Sequence, residues 1–379
     1  MVITMKLFHI SDLHIGIKIY GMSQLEEQRH ILNTIVQNAV DERIDGIILA
    51  GDIYDKQTPS AEGVVVFDEF LTALSKNNIS VFMIWGNHDS KERIAFGSSI
   101  LKDSNIYISP VYNGKVLPIT LTDEYGNINI YLLPFLKPQY VRAFTDTEIS
   151  DYNSAIEYAI STMGINKAER NIIVSHQFVT GASTSESEEI SIGGTDNISA
   201  DLFSDFDYTA LGHIHRPQKI KSEYIRYSGT PLKYSFSEEN DKKAITVIEL
   251  KEKGDIKISQ IPLTPIHDMR TIKGEYDTLM SRKFYSSIPT DDYIRVILTD
   301  EMEIPYAIEK MRGVYPNILE LRYDNRRTQN TEAITAFENA EKKTALQLFS
   351  EFYQKQNGAK MSDEEECIIK DVLSDLEVE

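Results

Sequence analysis

The chain has 379 residues, and at ~150 residues per domain that length predicts two to three domains. Hydrophobic content of 41% and charged content of 26% are ordinary globular values that exclude a wholly disordered or fibrous chain. The absence of any apolar run near ~20 residues and the opening MVITMKLFHIS predict a cytoplasmic protein without a membrane span or secretory signal. Two further counts bear on chemistry. The 39 Lys+Arg against 58 Asp+Glu give −19, which repels a polyanion unless metal ions or local basic patches intervene. The single cysteine, Cys367, excludes an intramolecular disulfide and Cys-type zinc sites.

In chain order, Lys6–Ile10, Ile47–Ala50, Val81–Trp85, Ile130–Leu133, Ile172–Val174 and Tyr208–Leu211 are short runs rich in β-branched or aromatic residues, and each reads as a buried strand. Between the first two, Leu25, Leu32, Ile35, Val36, Ala39 and Val40 recur at helical spacing. Val64, Phe67, Phe70, Leu71 and Leu74 mark a second helix over Ala61–Lys76. Strand, helix, strand in succession implies crossover units and a sheet covered on both faces. The segment 122–130 carries a hairpin signal in Tyr125-Gly126-Asn127. Residues 180–199 are polar and read as a long mobile loop.

From Thr271 the texture changes. Tyr293–Thr299 and Ile318–Tyr323 read as strands flanking a short helix around Tyr306–Arg312. From Thr331 the pattern is helical, with Phe337, Leu346, Phe349, Phe352 and Tyr353 near one face, and a second helix over Asp363–Leu376 follows the stop signal Gly358. Residues 331–379 carry five Lys/Arg and twelve Asp/Glu, a net of −7.

Five of the eight histidines follow these strands in company with Asp, Asn or Gly. The runs are Ser11-Asp12-Leu13-His14, Gly51-Asp52-Ile53-Tyr54-Asp55, Gly86-Asn87-His88-Asp89, Ser175-His176-Gln177 and Gly212-His213-Ile214-His215. Ligand sites in α/β sheets lie outside the carboxyl ends of strands, so five such ends predict one pocket. Carboxylate, imidazole and amide donors suit Mn, Fe or Zn better than Ca or Mg, and the set is right for two divalent ions. In Asp12-Leu13-His14 and His213-Ile214-His215, the i, i+2 spacing in an extended segment puts both side chains on one face. Gly51, Gly86 and Gly212 are expected to let the backbone turn sharply at each strand end and bring the ligand close. His9, His30 and His267 lack this context and read as structural or surface residues.

The ordered set D-x-H, G-D-x-x-D, G-N-H-D, a lone His after a strand, and G-H-x-H resembles the calcineurin-type metallophosphoesterase superfamily. Within it, LFHISDLHIG, LAGDIYDKQTPS, MIWGNHDS, LGHIHRPQ and YSGTPLKYSFSEE resemble the DNA double-strand-break repair nucleases that work with an SMC-like ATPase. The resemblance implies an α/β fold: a metallophosphoesterase β-sandwich flanked by helices over 1–268, a small α/β capping domain over 269–330, and a C-terminal helical pair over 331–379 that binds the ATPase. It implies one metal held by Asp12, His14, Asp52 and His215 and a second by Asp52, Asn87, His176 and His213, with manganese the expected ion. His88 matches the family's catalytic histidine. Asp55 falls where phosphatases of the superfamily place an Asp that orients that histidine, and where related repair nucleases place a His. Asp89 is read as fixing its loop.

The activity implied is metal-dependent hydrolysis of DNA, 3'-5' exonuclease on double-stranded ends and endonuclease on single strands and hairpins, in repair, recombination and replication. A homodimer within a heterotetramer is implied as well. Lys18, Lys56, Lys91 and Arg93 lie in the motif loops as candidate phosphate contacts. Two other readings fit the same motifs: a stand-alone phosphodiesterase or phosphatase on a small-molecule or cyclic-nucleotide substrate, and a non-catalytic scaffold. The long C-terminal part speaks against the first, and the full ligand set with His88 against the second.

Overall fold

Six apolar runs too short for helices become strands, and the computed structural model divides them between two mixed sheets of six strands each. It describes residues 4–188 and 196–325, with residues 328, 349, 350, 353, 361, 362, 365, 366 and 369 beyond them. The first sheet runs, edge to edge, Ile256–Pro262, Ala244–Leu250, Met5–Ile10, Gly46–Ala50, Ser80–Ile84 and Ile106–Ile108. Its last four strands are parallel, and Ala244–Leu250 is antiparallel to Met5–Ile10. The second runs Gln218–Ile220, Ser222–Tyr227, Tyr208–Gly212, Arg170–His176, Gly126–Leu133 and Pro118–Asp123. It is parallel in the middle and antiparallel at both edges, one edge being the expected hairpin.

Period-two alternation sorts the side chains into layers. Leu7, Ile48 and Phe82 of one sheet pack against Ile130, Val174 and Ala210 of the other in a dry core between the sheets. Their strand neighbours Phe8, Ile47 and Met83 face outward, where helices Leu25–Asp41 and Ala61–Lys76 cover them with Ile31, Ile35, Phe67 and Phe70. Ser60 caps the second helix by accepting from the Gly63 amide. Helix Tyr152–Ser161 brings Ala155 and Ile156 to the core on the far side of the sandwich. The expectation of an α/β sandwich flanked by helices is met.

His9 points inward from Met5–Ile10, with Nδ1 at 3.0 Å from the Tyr208 hydroxyl and Nε2 at 3.1 Å from the Leu211 carbonyl oxygen. It ties the sheets together just below the site, the structural role read for it.

Beyond the sandwich, Met269–Gly274, Tyr293–Leu298 and Ile318–Tyr323 form a small parallel sheet with a core of its own around Ile272, Val296, Met311 and Tyr315. Its first strand had no strong signal, because MRTIKG contributes only two buried apolar residues. At the seam with the sandwich, Met269 and Tyr293 join the larger core and polar bonds run beside them. The buried Glu27 carboxylate accepts from the Ile266 and His267 amides, and His267 Nδ1 lies 2.6 Å from it. The helical pair expected over 331–379 lies outside the described residues apart from the isolated positions given above. Among the described residues no helix is long and apolar enough to cross a membrane.

Candidate metal centre

Five strand ends meet at one rim of the sandwich, three from the first sheet and two from the second. The loop after Met5–Ile10 runs alongside the loop after Gly46–Ala50, so that Asp12, His14 and Ile15 donate their amides to the carbonyls of Gly51, Asp52 and Ile53. This sheet-like pairing continues past the sheet and aims Asp12, His14 and Asp52 into one space. Asp12, His14, Asp52 and His213 are non-glycine residues with φ of 54°, 44°, 49° and 102°. Such left-handed backbone costs on the order of 1–3 kcal/mol at each residue and persists only where the surroundings over-determine it.

The glycines divide the two expected tasks between them. Of the three, only Gly51 has a positive φ, +91°. Gly86 and Gly212 are needed for room: a Cβ on Gly86 would fall 2.6 Å from the Asp52 amide and onto its carboxylate, and one on Gly212 would overlap the Ala50 carbonyl.

Asp52 sits at the centre. Its Oδ2 lies 3.3 Å from His176 Nε2, 3.7 Å from His14 Nε2 and 4.0 Å from His88 Nε2, and its Oδ1 accepts from the His88 amide. His14 Nε2 faces His215 Nε2 at 3.1 Å, and Asp12 joins them within 4.8 Å. On the other side, Asn87 Oδ1 lies 3.0 Å from both His176 Nε2 and His213 Nδ1. The structure therefore brings together all seven residues read as ligands, with Asp52 between the two groups, and sets His88 beside them.

For three of the imidazoles a second bond fixes which nitrogen faces inward. His176 Nδ1 donates to the Ala50 carbonyl at 2.7 Å and His88 Nδ1 to the Asp55 main-chain carbonyl at 3.0 Å. Ser187 Oγ gives its one proton to Glu238 at 2.6 Å, so it accepts from His215 Nδ1 at 2.7 Å. In their neutral forms all three imidazoles point an unprotonated Nε2 into the cluster, alongside carboxylate and amide oxygens. That donor set fits divalent cations with borderline nitrogen and oxygen preference.

Burial holds the imidazoles of His14 and His213 down, to about 3 and about 4, and His215 well below its ordinary value. Burial also opposes ionisation of Asp52, but the imidazoles of His176, His14 and His88 prevail and hold its carboxyl well below the usual range. The reciprocal pull raises His176 to about 9 against its own burial, and burial pushes Asp12 up to about 7.

Several supporting residues were not singled out from the sequence, although Tyr234 and Glu238 lie within the motif YSGTPLKYSFSEE. Glu238 and Lys243 form a buried ion pair behind His215, and Lys243 also donates to the His215 carbonyl. Gln28 donates to the Leu13 and His14 carbonyls, and Tyr234 donates to Leu13. Ser187 and Glu188 belong to the segment read only as a loop, yet Glu188 accepts from the His215 amide. Their bonds to the ligand loops span 12 or more positions of the chain, so only the fold reveals what they do. Asp89 accepts from the Ile53, Tyr54 and Gly86 amides and so fixes the loop, as expected. His30 is exposed. Of the four candidate cations, Lys91 lines a groove that begins at Asn87, while the Arg93 guanidinium bonds the Gln57 carbonyl.

A two-sheet sandwich with imidazoles and carboxylates gathered at one rim is the scaffold of a metal-dependent phosphoesterase. Residues 5–217 match the calcineurin-like phosphoesterase family, and the chain belongs to it. More particularly it is of the SbcD type: it is 32% identical over 322 residues to the D subunit of nuclease SbcCD from Staphylococcus epidermidis, covering 84% of this chain and 85% of that protein. Residues 265–357 match a second family, described as the type 5 capsule protein repressor C-terminal domain. Among solved structures, a Thermus thermophilus protein is similar with a TM-score of 0.41 and 12% identity, over 68% of this chain and 99% of that one. A dimetal phosphatase from Danio rerio is similar with a TM-score of 0.40 and 13% identity, over 69% of this chain and 98% of that one.

Proposed function

We propose that the chain is a two-metal DNA nuclease acting in the cytoplasm as the SbcD partner of an SbcC-type ATPase. The observation that carries this reading is Asp52, a buried carboxylate flanked by two groups of inward-facing donors. Asp12, His14, Asp52 and His215 would hold one ion and Asp52, Asn87, His176 and His213 the other, with manganese our choice of metal. When bound, such ions supply an activated water and positive charge for the phosphodiester oxygens.

The chain's own residues do the rest. His88, held through Nδ1 by the Asp55 carbonyl, keeps Nε2 at the rim, where the ring in its imidazolium form can give the Nε2 proton to the leaving oxygen and return to the neutral tautomer. Asp55 is thus a positioning residue through its main chain. The strained loops hold the donors in place before substrate arrives, so little reorganisation is left for the reaction itself. A homodimer, implied by the family, is part of this reading. The segments 269–330 and 331–379 are assigned to capping and to the ATPase.

The test is hydrolysis of a linear duplex and a hairpin oligonucleotide with manganese by the native chain and by His88→Ala, with a cyclic nucleotide alongside. Loss of about 10²–10⁴-fold in DNA cleavage by the variant, at unchanged metal content, is expected for a general acid. Intact DNA with a cleaved cyclic nucleotide would replace this reading by the small-substrate phosphodiesterase.

A further inference from the structure

The cluster opens on one side into a groove of about 220 Å³ whose near end is Asn87. Its lining includes Gln57, Lys91, Phe135, Lys137 and Tyr140, with the carboxylates of Asp89 and Glu92 beside them. One feature matters in a chain of net charge −19. Its two lysines and its partly exposed aromatic ring share a lining with Asn87, a residue of the metal cluster.

The residues already have distinct tasks. Phe135 is buried and its ring lies nearly parallel to that of His213, with centroids 6.5 Å apart, so it backs a metal donor rather than meeting a ligand. Tyr140 is half-buried, and the Lys91 ammonium sits 4.4 Å from the centre of its ring. That ammonium is also 3.8 Å from Glu92, an exposed and weak pairing. Lys137 is exposed. An ammonium resting on an aromatic face is readily drawn off by a phosphate, which offers it a full negative charge, and the ring it leaves is the surface on which a nucleobase stacks.

We infer that this groove is the subsite for the unpaired nucleotide next to the scissile phosphate, with Lys91 and Lys137 on its backbone phosphates and Tyr140 against its base. The inference rests on the nuclease reading and sharpens it: the site receives a single strand with a base present, not merely a phosphodiester. It also explains how an acidic chain holds a polyanion, through two cations placed beside the metals rather than through net charge.

The experiment uses the full chain and two single-stranded oligonucleotides, one carrying 2-aminopurine beside the scissile phosphate and one abasic there. The native chain is expected to quench the 2-aminopurine on binding and to bind the abasic strand about tenfold more weakly, as loss of one stacked base implies. Tyr140→Ala should bind both strands alike without quenching, and Tyr140→Phe should behave as the native chain, which separates stacking from a general loss of fold. Lys91→Gln and Lys137→Gln should each flatten the log–log salt dependence of binding by about 0.7, the slope of one phosphate on a single strand. A native chain that cleaves single strands while Tyr140→Ala still discriminates between the two oligonucleotides overturns the subsite alone. A native chain that cleaves no DNA overturns the nuclease reading, and the subsite with it.

Discussion

The sandwich and the small sheet put the same kinds of residue in the same topological place and do opposite things with them. Both have parallel strands whose carboxyl ends carry Asp and Asn. In the small sheet, Tyr293–Leu298 is followed by Asp300 and Ile318–Tyr323 by Asp324 and Asn325. There, Asp300 accepts from the Tyr276 amide, Asn325 donates to the Asp300 carbonyl, and Lys273 pairs with Asp324. Each polar group is spent on tying neighbouring loops and strands of the small sheet together. At the sandwich rim, supporting residues such as Asp89 and Gln28 make many of the loop bonds, and Asp12 and Asp52, although each also accepts a main-chain amide, still face the imidazoles. A strand end is a location for chemistry, and it becomes a site where other residues share the structural work and leave polar side chains facing one another.

The largest test of this contrast is Asp52→Ala. Removing the carboxylate between the two donor groups is expected to lower bound metal from two ions per chain to one or none and to cut hydrolysis by at least about a thousand-fold, beyond the ~10²–10³ that a single oxyanion donor costs. Metal analysis of the purified variant after manganese addition checks it. Two ions retained with full activity would mean that the donors beside Asp52 suffice without it.

Much of the site was legible because its ligands are tied to short runs that end strands, and strand ends are where a buried apolar pattern stops. The two sheets' central strands, being buried on both faces, announced themselves as continuous apolar runs. Edge strands did not: Ile256–Pro262 alternates exposed and half-buried residues, and Gln218–Ile220 is only three residues long. The layers around the ligands were illegible for a different reason. Gln28 reaches the Leu13 and His14 carbonyls from a helix, Glu238 meets Ser187 across 51 positions of the chain, and Lys243 meets the His215 carbonyl across 28, so their meaning exists only in three dimensions. The role of Gly86 was legible in part: a sharp turn and a close approach of a ligand were both expected there, and the approach, by Asp52, is the one found.

His9 sharpens the comparison from below the rim. It is a histidine on a site-bearing strand that works purely as structure, and burial lowers its pKa to about 3. The unfolded chain binds a proton at His9 near pH 6.5 and the folded chain does not, so stability is lost as pH falls through 6.5 and continues to fall until about 3. From about pH 6.5 to 5 this one group accounts for about 2 kcal/mol, at ~1.4 kcal/mol per unit. Denaturant unfolding of metal-free His9→Gln across that window should show a slope shallower by about one proton than that of the native chain. Equal slopes would mean that His9 is protonated in the fold and that its bonds to Tyr208 and Leu211 are not those described.

The smallest effect is expected on the other side of the comparison. Asp300→Ala removes the acceptor of the Tyr276 amide, a partly buried group at a strand end of the small sheet. Leaving that amide without its partner is expected to cost about 1–2 kcal/mol, seen as a lower unfolding midpoint at unchanged slope. Metal content and manganese-dependent hydrolysis should be unaffected, because Asp300 bonds neighbouring loops of the small sheet, at Tyr276 and Asn325, rather than the cluster. A change in metal content would mean that the small sheet's strand ends are coupled to the rim after all, and that the division of labour between the two regions is false.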